Sequence, residues 1–163
     1  MFTRPFIDSL DFALKGREIS GEVPMAELPR MADLLTDTDG SIRYALRGFE
    51  GEDGKPLLEL TLNGKCNLRC QRCLKSMAYP VSLVSRLRLE QDETSLDSDL
   101  EDDEVDGIPA DKHMDVIALL EDELLLGLPI APKHEEGVCS MAAGAQIEIH
   151  NPFAVLASLK KNI

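Results

Sequence analysis

The sequence predicts an α+β fold in which an antiparallel sheet of about four strands is covered by one helix from the C-terminal half of the chain. Four segments alternate apolar and polar side chains with the period of a half-buried strand, and one later segment has apolar residues at helical spacing. Three of the four cysteines lie between the last two strand segments. Because 163 residues with 44% apolar side chains can bury one ordinary core, we expect residues 1–163 to form a single domain.

The predicted strands cover residues 17–23, 42–46, 58–62 and 79–89. Gly51 and Gly54 separate the second from the third and supply the positive φ that a hairpin turn requires. Two short helices are expected before the hairpin, one over residues 4–15 and one over 25–35 that Pro29 would shorten.

The strongest helix signal covers residues 114–126. Its apolar stripe consists of Ile117, Leu120 and Leu124. Asp111 or Asp115 can cap its start, and Gly127 followed by Pro129 ends it. We expect this helix to cover the apolar face of the sheet, with its acidic residues on the solvent side. Those residues are Asp115, Glu121, Asp122 and Glu123.

Charge is distributed unevenly along the chain, which carries a net charge of −13. Nine acidic residues and no basic ones lie between Gln91 and Asp106, which leaves 21 acidic against 17 basic residues elsewhere. Mutual repulsion and few apolar side chains predict that residues 91–107 form an acidic, flexible linker within the domain. Residues 135–163 lack a sustained pattern and are predicted to form an irregular C-terminal tail.

The compartment is predicted from two absences in the sequence. No run approaches the roughly 18 to 20 apolar residues that a membrane span needs, and the N-terminus lacks the apolar stretch of a signal peptide. We therefore expect a cytoplasmic protein with no membrane partner. In a reducing cytosol, clustered cysteines are more often metal ligands than disulfides.

The cysteines form the clearest candidate site. Cys70 and Cys73 have the C-x-x-C spacing of a metal-binding knuckle between two strands, and Cys139 lies downstream with His134 shortly before it. Three cysteines with either His134 or Cys66 would satisfy one tetrahedral zinc and leave no open catalytic position.

The same residues allow a different interpretation as an iron–sulfur enzyme. C-x3-C-x2-C, which begins at Cys66, is how radical enzymes that use S-adenosylmethionine hold a [4Fe-4S] cluster. Those enzymes need a barrel of roughly 200 residues, whereas only 90 residues follow Cys73. No phosphate loop, dinucleotide fingerprint or nucleophile elbow is present, so the sequence favours a protein that is not an enzyme and has no small-molecule substrate.

Basic residues near the knuckle and on the fourth predicted strand are candidates for contact with nucleic acid or another partner. The candidates are Arg69, Arg72, Arg86 and Arg88. With no Trp and two Tyr, the chain offers little for stacking bases, and ordinary surface ion pairs explain these arginines equally well.

Several motifs in order along the chain resemble those of the bacterial YceD proteins. The motifs are Cys70-Gln71-Arg72-Cys73-Leu74, the segment from Glu121 to His134, Cys139, and the closing Asn151-Pro152-Phe153-Ala154-Val155-Leu156. The resemblance implies a non-enzymatic ribosome-biogenesis factor that supports the synthesis, processing or stability of 23S rRNA. It favours His134 over Cys66 as fourth ligand and implies, as partner, a precursor of the large ribosomal subunit, through rRNA, a ribosomal protein or both. The alternative is a zinc-stabilised adaptor that binds a ribosomal protein.

Overall fold

The computed structural model describes residues 3–91 and 105–139. In chain order its elements are β1 (Phe6–Ile7), α1 (Ser9–Leu14), β2 (Glu18–Pro24), β3 (Ser41–Glu50), β4 (Pro56–Arg69), β5 (Ser76–Glu90), β6 (Asp106–Pro109), β7 (Met114–Asp115) and α2 (Val116–Gly127). Two 3-10 turns, Met25–Glu27 and Pro29–Met31, lie between β2 and β3.

The main sheet has five strands in the order β2-β3-β4-β5-β6. Its first four strands are antiparallel neighbours along the chain, which confirms the predicted α+β class and the predicted antiparallel sheet. The predicted number of about four strands was too low, because a fifth strand, β6, pairs in parallel with the end of β5. Four residues are too short for a periodic signal, and β6 begins inside the segment that was assigned to the acidic linker. The rest of that linker, 92–104, and the tail from 140 to 163 lie outside the described residues.

The first predicted helix is shorter than its apolar spacing indicated. Phe6 and Ile7 form β1, which pairs with β7 in a separate two-stranded sheet. The two strands are more than 100 residues apart in the chain. Asp8 then caps α1 by accepting a hydrogen bond from the backbone N–H of Asp11. Pairing with a distant strand therefore overrides the local helical pattern at residues 4–7.

One face of the sheet is apolar and forms the core. Its central members are fully buried leucines: Leu46, Leu58, Leu60, Leu62 and Leu87. Helix α2 contributes the predicted stripe of Ile117, Leu120 and Leu124 to the same core, which confirms that it covers this face. Each such side chain contributes roughly 1.5–3 kcal/mol through burial. None of the described helices is long and apolar enough to cross a membrane.

The acidic residues of α2 depart from the prediction of a solvent-facing set. Glu121 and Glu123 are 3% and 8% exposed, respectively. The Oε1 atom of Glu121 accepts a hydrogen bond of 2.7 Å from the backbone N–H of Arg30, in the second 3-10 turn. That turn has no side-chain cap of its own, so a residue 91 positions later in the chain takes this role. Asp115 instead caps α2, where it accepts from the N–H groups of Ile117 and Ala118.

Candidate metal centre

The turn between β4 and β5 presents two thiols on a tight backbone. The N–H of Cys70 donates to the carbonyl of Lys75 (3.0 Å), and the N–H of Leu74 donates to the carbonyl of Cys70 (2.8 Å). Leu74 has a φ of 61°, the left-handed conformation that turns the chain back into β5. The structure thus places the C-x-x-C pair in a knuckle between two strands, as the sequence predicts.

The segment after α2 returns across this knuckle. The N–H of Gln71 donates to the carbonyl of Pro132 (2.8 Å), and Nε2 of His134 lies 3.1 Å from the carbonyl oxygen of Ser76. Two points of contact therefore hold residues 132–139, called the C-terminal arm below, against the knuckle. Neither contact has a signal in the sequence, since both join a backbone group to a residue about 60 positions away.

Cys70, Cys73, His134 and Cys139 converge in this place. Their ligand atoms all lie within 4.8 Å of one another. The Sγ atoms of Cys70 and Cys139 are 3.7 Å apart, and Nδ1 of His134 lies 3.4 Å from Sγ of Cys73 and 3.5 Å from Sγ of Cys139. Cys70 is buried and the other three are partly buried. This arrangement could hold a metal ion.

The tautomer of His134 suits a metal ligand. Because a carbonyl oxygen only accepts hydrogen bonds, the contact with Ser76 requires the proton on Nε2. Nδ1 faces the thiols, where it shares a proton with them or, in the neutral ring, offers a lone pair to a cation. A backbone carbonyl that orients a histidine in this way is a common feature of protein metal sites.

Hydrogen bonds inside the cluster favour thiolates at two of the three cysteines. Burial raises the pKa of the Cys70 thiol, but hydrogen bonds from three neighbouring backbone groups and from the His134 ring lower it to about 5. Burial likewise raises the pKa of Cys139, and the hydrogen bonds from Arg72 and His134 reverse this, so that its pKa falls below the ordinary value. Since the thiolate is the form that binds metal, these residues are prepared for coordination.

The other two groups shift in the direction expected beside thiolates. A backbone hydrogen bond at Lys75 lowers the pKa of Cys73, but burial and the two neighbouring thiols raise it above its ordinary value. Hydrogen bonds to the Cys70 and Cys139 thiols raise the pKa of His134. Three sulfurs and one imidazole thus share one or more protons that a cation would displace.

Cys66, the alternative fourth ligand, lies in the hydrophobic core. It is 2% exposed, opposite Tyr79 on β5, and burial raises the pKa of its thiol to about 11. An inward-facing strand residue cannot reach the turn that holds Cys70 and Cys73, so C-x3-C-x2-C does not form one ligand set among the described residues. The iron–sulfur interpretation therefore lacks its three clustered cysteines.

The four candidate contact arginines are not brought together. Arg69 ends β4, and the Arg72 guanidinium lies over the candidate centre, where Nε donates to Sγ of Cys139 (3.1 Å). Arg86 and Arg88 lie ten and twelve residues along β5 from Ser76, which at strand geometry is about 33–40 Å away. There Arg86 pairs with Glu59 (3.0 Å) and Arg88 with Glu90 (2.7 Å).

The comparisons with known proteins bear on the whole of this centre. The model of a family described as "Large ribosomal RNA subunit accumulation protein YceD" matches residues 58–160, more than half of the chain. The chain belongs to the YceD family. The YceD match includes all four residues of the centre, from Cys70 to Cys139.

A relative of the same description supports the YceD assignment. The Large ribosomal RNA subunit accumulation protein YceD of Haemophilus influenzae is 24% identical over 170 residues, which cover 95% of this chain and 94% of the relative. No solved structure matches the chain.

Proposed function

We propose that this protein is a non-enzymatic factor in the biogenesis of the large ribosomal subunit that supports the accumulation of 23S rRNA in the cytoplasm. The observation that carries the proposal is the family match over residues 58–160, which the relative from Haemophilus influenzae extends to nearly the full length of the chain. The centre supports a non-catalytic role, because four protein ligands leave no position for a substrate or an activated water.

The metal in the proposal is one structural zinc ion, held by Cys70, Cys73, Cys139 and His134. Zinc bonds of about 2.3 Å to sulfur and 2.0–2.1 Å to nitrogen, at tetrahedral angles, separate two sulfurs by about 3.8 Å and a sulfur from a nitrogen by about 3.6 Å. The 3.7 Å between the sulfurs of Cys70 and Cys139 and the 3.4–3.5 Å from Nδ1 of His134 to two sulfurs agree with these values, and the remaining ligand atoms lie within 4.8 Å of one another. Two or three thiolates with one imidazole also suit zinc better than a hard cation.

The proposed zinc ion serves the fold rather than chemistry. It would tie the β4–β5 knuckle to the arm that follows α2, and so connect the sheet to the C-terminal end of the described chain. Because such sites rarely persist in unfolded chains, the free energy of metal binding becomes free energy of folding. We expect metal removal to loosen the C-terminal arm first, since the hairpin of β4 and β5 has its own ladder of hydrogen bonds.

The proposed partner is a precursor of the large subunit, with protein contact contributing at least as much as RNA contact. Two candidate phosphate contacts, Arg86 and Arg88, are paired with glutamates, which reduces their attraction for a phosphate backbone. Apolar side chains are exposed on the knuckle and along the segment after α2. They are Leu74, Ile130 and Val138, which are 67%, 103% and 59% exposed. Exposed apolar groups of this kind are typical of protein contacts.

The zinc component is tested by elemental analysis of untagged protein. We expect about one zinc per chain in the natural sequence and in Cys66→Ala, which removes the core thiol, but well under 0.1 in Cys73→Ala. Metal content well below one in the natural protein would rule out the centre. Loss of zinc in Cys66→Ala to the same degree as in Cys73→Ala would refute the ligand set.

The ribosomal component is tested in cells that lack the protein. We expect the ratio of 23S to 16S rRNA to fall and to recover with the natural chain, and an unchanged ratio would contradict the proposal. Two measurements then distinguish contact with ribosomal proteins from contact with rRNA. The first is co-purification after ribonuclease treatment, and the second is titration of the protein with precursor rRNA across a salt series. Ribosomal proteins retained after ribonuclease, with little affinity for naked rRNA, support the protein contact. Strong salt-dependent rRNA binding that is lost in Arg86→Glu and Arg88→Glu would reverse the preference.

A further inference from the structure

Arg72 makes three directed contacts with one guanidinium group. Its Nε donates to Sγ of Cys139 at 3.1 Å, and one terminal nitrogen donates to the carbonyl oxygens of His134 (3.1 Å) and Glu135 (3.2 Å). All three acceptors belong to the C-terminal arm, whereas Arg72 itself lies between the two knuckle cysteines. A single side chain therefore connects the two halves of the centre.

The two halves differ in how much support their backbones receive. Cys70 is buried at the end of a long ladder between β4 and β5, and two backbone hydrogen bonds within the turn hold the knuckle. Within the described part of the chain, the backbone of the arm between His134 and Cys139 makes one local hydrogen bond, from the N–H of Val138 to the carbonyl of Glu135 at 3.2 Å, besides its contacts with the knuckle. The guanidinium thus restrains the less supported half.

We propose that Arg72 is a positioning residue of the metal centre, which holds Cys139 and its loop in place and thereby sets the rate at which the metal is released. The inference rests on the proposed zinc centre and deepens it. Charge gives a second reason, because three thiolates and a neutral imidazole around a divalent cation carry one net negative charge, which the guanidinium compensates. The guanidinium reaches the thiolate and the two carbonyls from two separate nitrogens in a fixed plane, whereas the three donors of an ammonium group all radiate from one nitrogen.

The arrangement makes Cys139 the ligand that leaves first. Its thiolate is held by the guanidinium and by a short loop, while Cys70 and Cys73 are anchored in the turn. Release of metal therefore begins with opening of the arm, and Arg72 opposes that opening. This role also explains why an arginine so close to the knuckle is a poor candidate for contact with rRNA: at least two of its donor nitrogens are already engaged.

The experiment compares Arg72→Gln and Arg72→Lys with the natural chain, and uses Arg69→Gln, at the exposed end of β4, as the matched control. Metal transfer from zinc-loaded protein to a chromogenic chelator gives the release rate. Loss of an outer partner of a metal ligand typically reduces metal affinity by about 10- to 100-fold. We expect release to accelerate by that factor in Arg72→Gln, by less in Arg72→Lys, and not at all in Arg69→Gln.

A spectrum separates this role from a merely structural one. In cobalt-substituted protein, loss of the hydrogen bond to Sγ raises the energy of the thiolate electrons, so the sulfur-to-cobalt charge-transfer band should move to longer wavelength in Arg72→Gln. Alkylation during metal release, followed by mass spectrometry, should label Cys139 before Cys73.

The outcomes separate failure of Arg72 from failure of the centre. If the natural chain binds no metal, the zinc centre is refuted and the inference with it. If the natural chain binds metal and Arg72→Gln releases it at the natural rate with an unshifted band, the inference alone is refuted. Accelerated release in Arg69→Gln to the same extent would also refute it, because any loss of positive charge near the knuckle would then suffice.

Discussion

Glu121 offers the sharpest test of how the helix and the 3-10 turns are joined. Its carboxylate is 3% exposed and accepts the 2.7 Å hydrogen bond from the backbone N–H of Arg30. The next residue on α2, Asp122, contacts the side chain of the same arginine and is half exposed. Arg30 is thus the partner of both residues: Glu121 makes a buried contact with its backbone, and Asp122 makes an exposed contact with its side chain.

The magnitudes follow from these environments. A hydrogen bond to a charged group contributes about 1.5–3 kcal/mol, and Glu121→Ala also leaves a partly buried N–H without its acceptor, so we expect a loss of about 2 kcal/mol in the free energy of unfolding. Glu121→Gln keeps an acceptor oxygen and should lose about 1 kcal/mol or less. Asp122→Ala removes an exposed ion pair, which typically contributes under about 1 kcal/mol.

Equilibrium unfolding in urea, followed by circular dichroism, measures all three variants at one fixed zinc concentration. For a chain of this length, 2 kcal/mol corresponds to a decrease of about 4–8 °C in the melting temperature. A Glu121→Ala variant within about 0.5 kcal/mol of the natural chain would refute the capping argument. An Asp122→Ala variant that loses as much as Glu121→Ala would attribute the effect to charge on the helix instead.

Three further predictions concern the sheet, the knuckle and the core. Gly48→Ala should cost about 1–3 kcal/mol in unfolding free energy, because the added Cβ would lie 2.6 Å from the α1 backbone. Gly51→Ala should stay within about 0.5 kcal/mol, because Gly54 and not Gly51 has the positive φ of the turn, and the close contacts of a Cβ at Gly51 are side-chain ends, with the nearest backbone atom at 3.5 Å. Leu74→Gly should raise the unfolding free energy by about 0.5–1 kcal/mol at the same zinc concentration, because the left-handed φ costs an L residue about 1–2 kcal/mol and the greater chain entropy of glycine in the unfolded state offsets part of that gain. A decrease would mean that the Leu74 side chain has a packing role. Burial raises the pKa of Cys66 from 9.0 to about 11, so its contribution to stability is fully present below pH 9 and is lost as the pH rises towards 11. Cys66→Ala should therefore lose less stability than the natural chain between about pH 8 and 10.5, and equal slopes would contradict this.

The strands and the candidate ligands in the knuckle were accessible from sequence because both produce local sequence patterns. Alternation with period two identified β2 to β5 in their order, and a C-x-x-C pair placed between two such segments indicated the knuckle. Spacing alone left His134 and Cys66 as alternatives for the fourth candidate ligand, because no sequence pattern shows which of these two side chains lies beside the knuckle. Resemblance to the YceD family favoured His134, and the structure brings that residue to the three sulfurs.

Only the tertiary structure decided the contacts between residues that are far apart in the chain. Pairing of β1 with β7 shortened the first helix, and parallel pairing with β5 made a strand of four residues that carry no periodic signal. The buried carboxylate of Glu121 looked like part of a solvated face, since its helical position says nothing about the distant N–H that it caps. The same holds for Arg72, whose three acceptors lie more than 60 residues away. Periodicity reports which face of an element is apolar, whereas a directed polar contact depends on which distant backbone that face meets, and only the packed chain determines that.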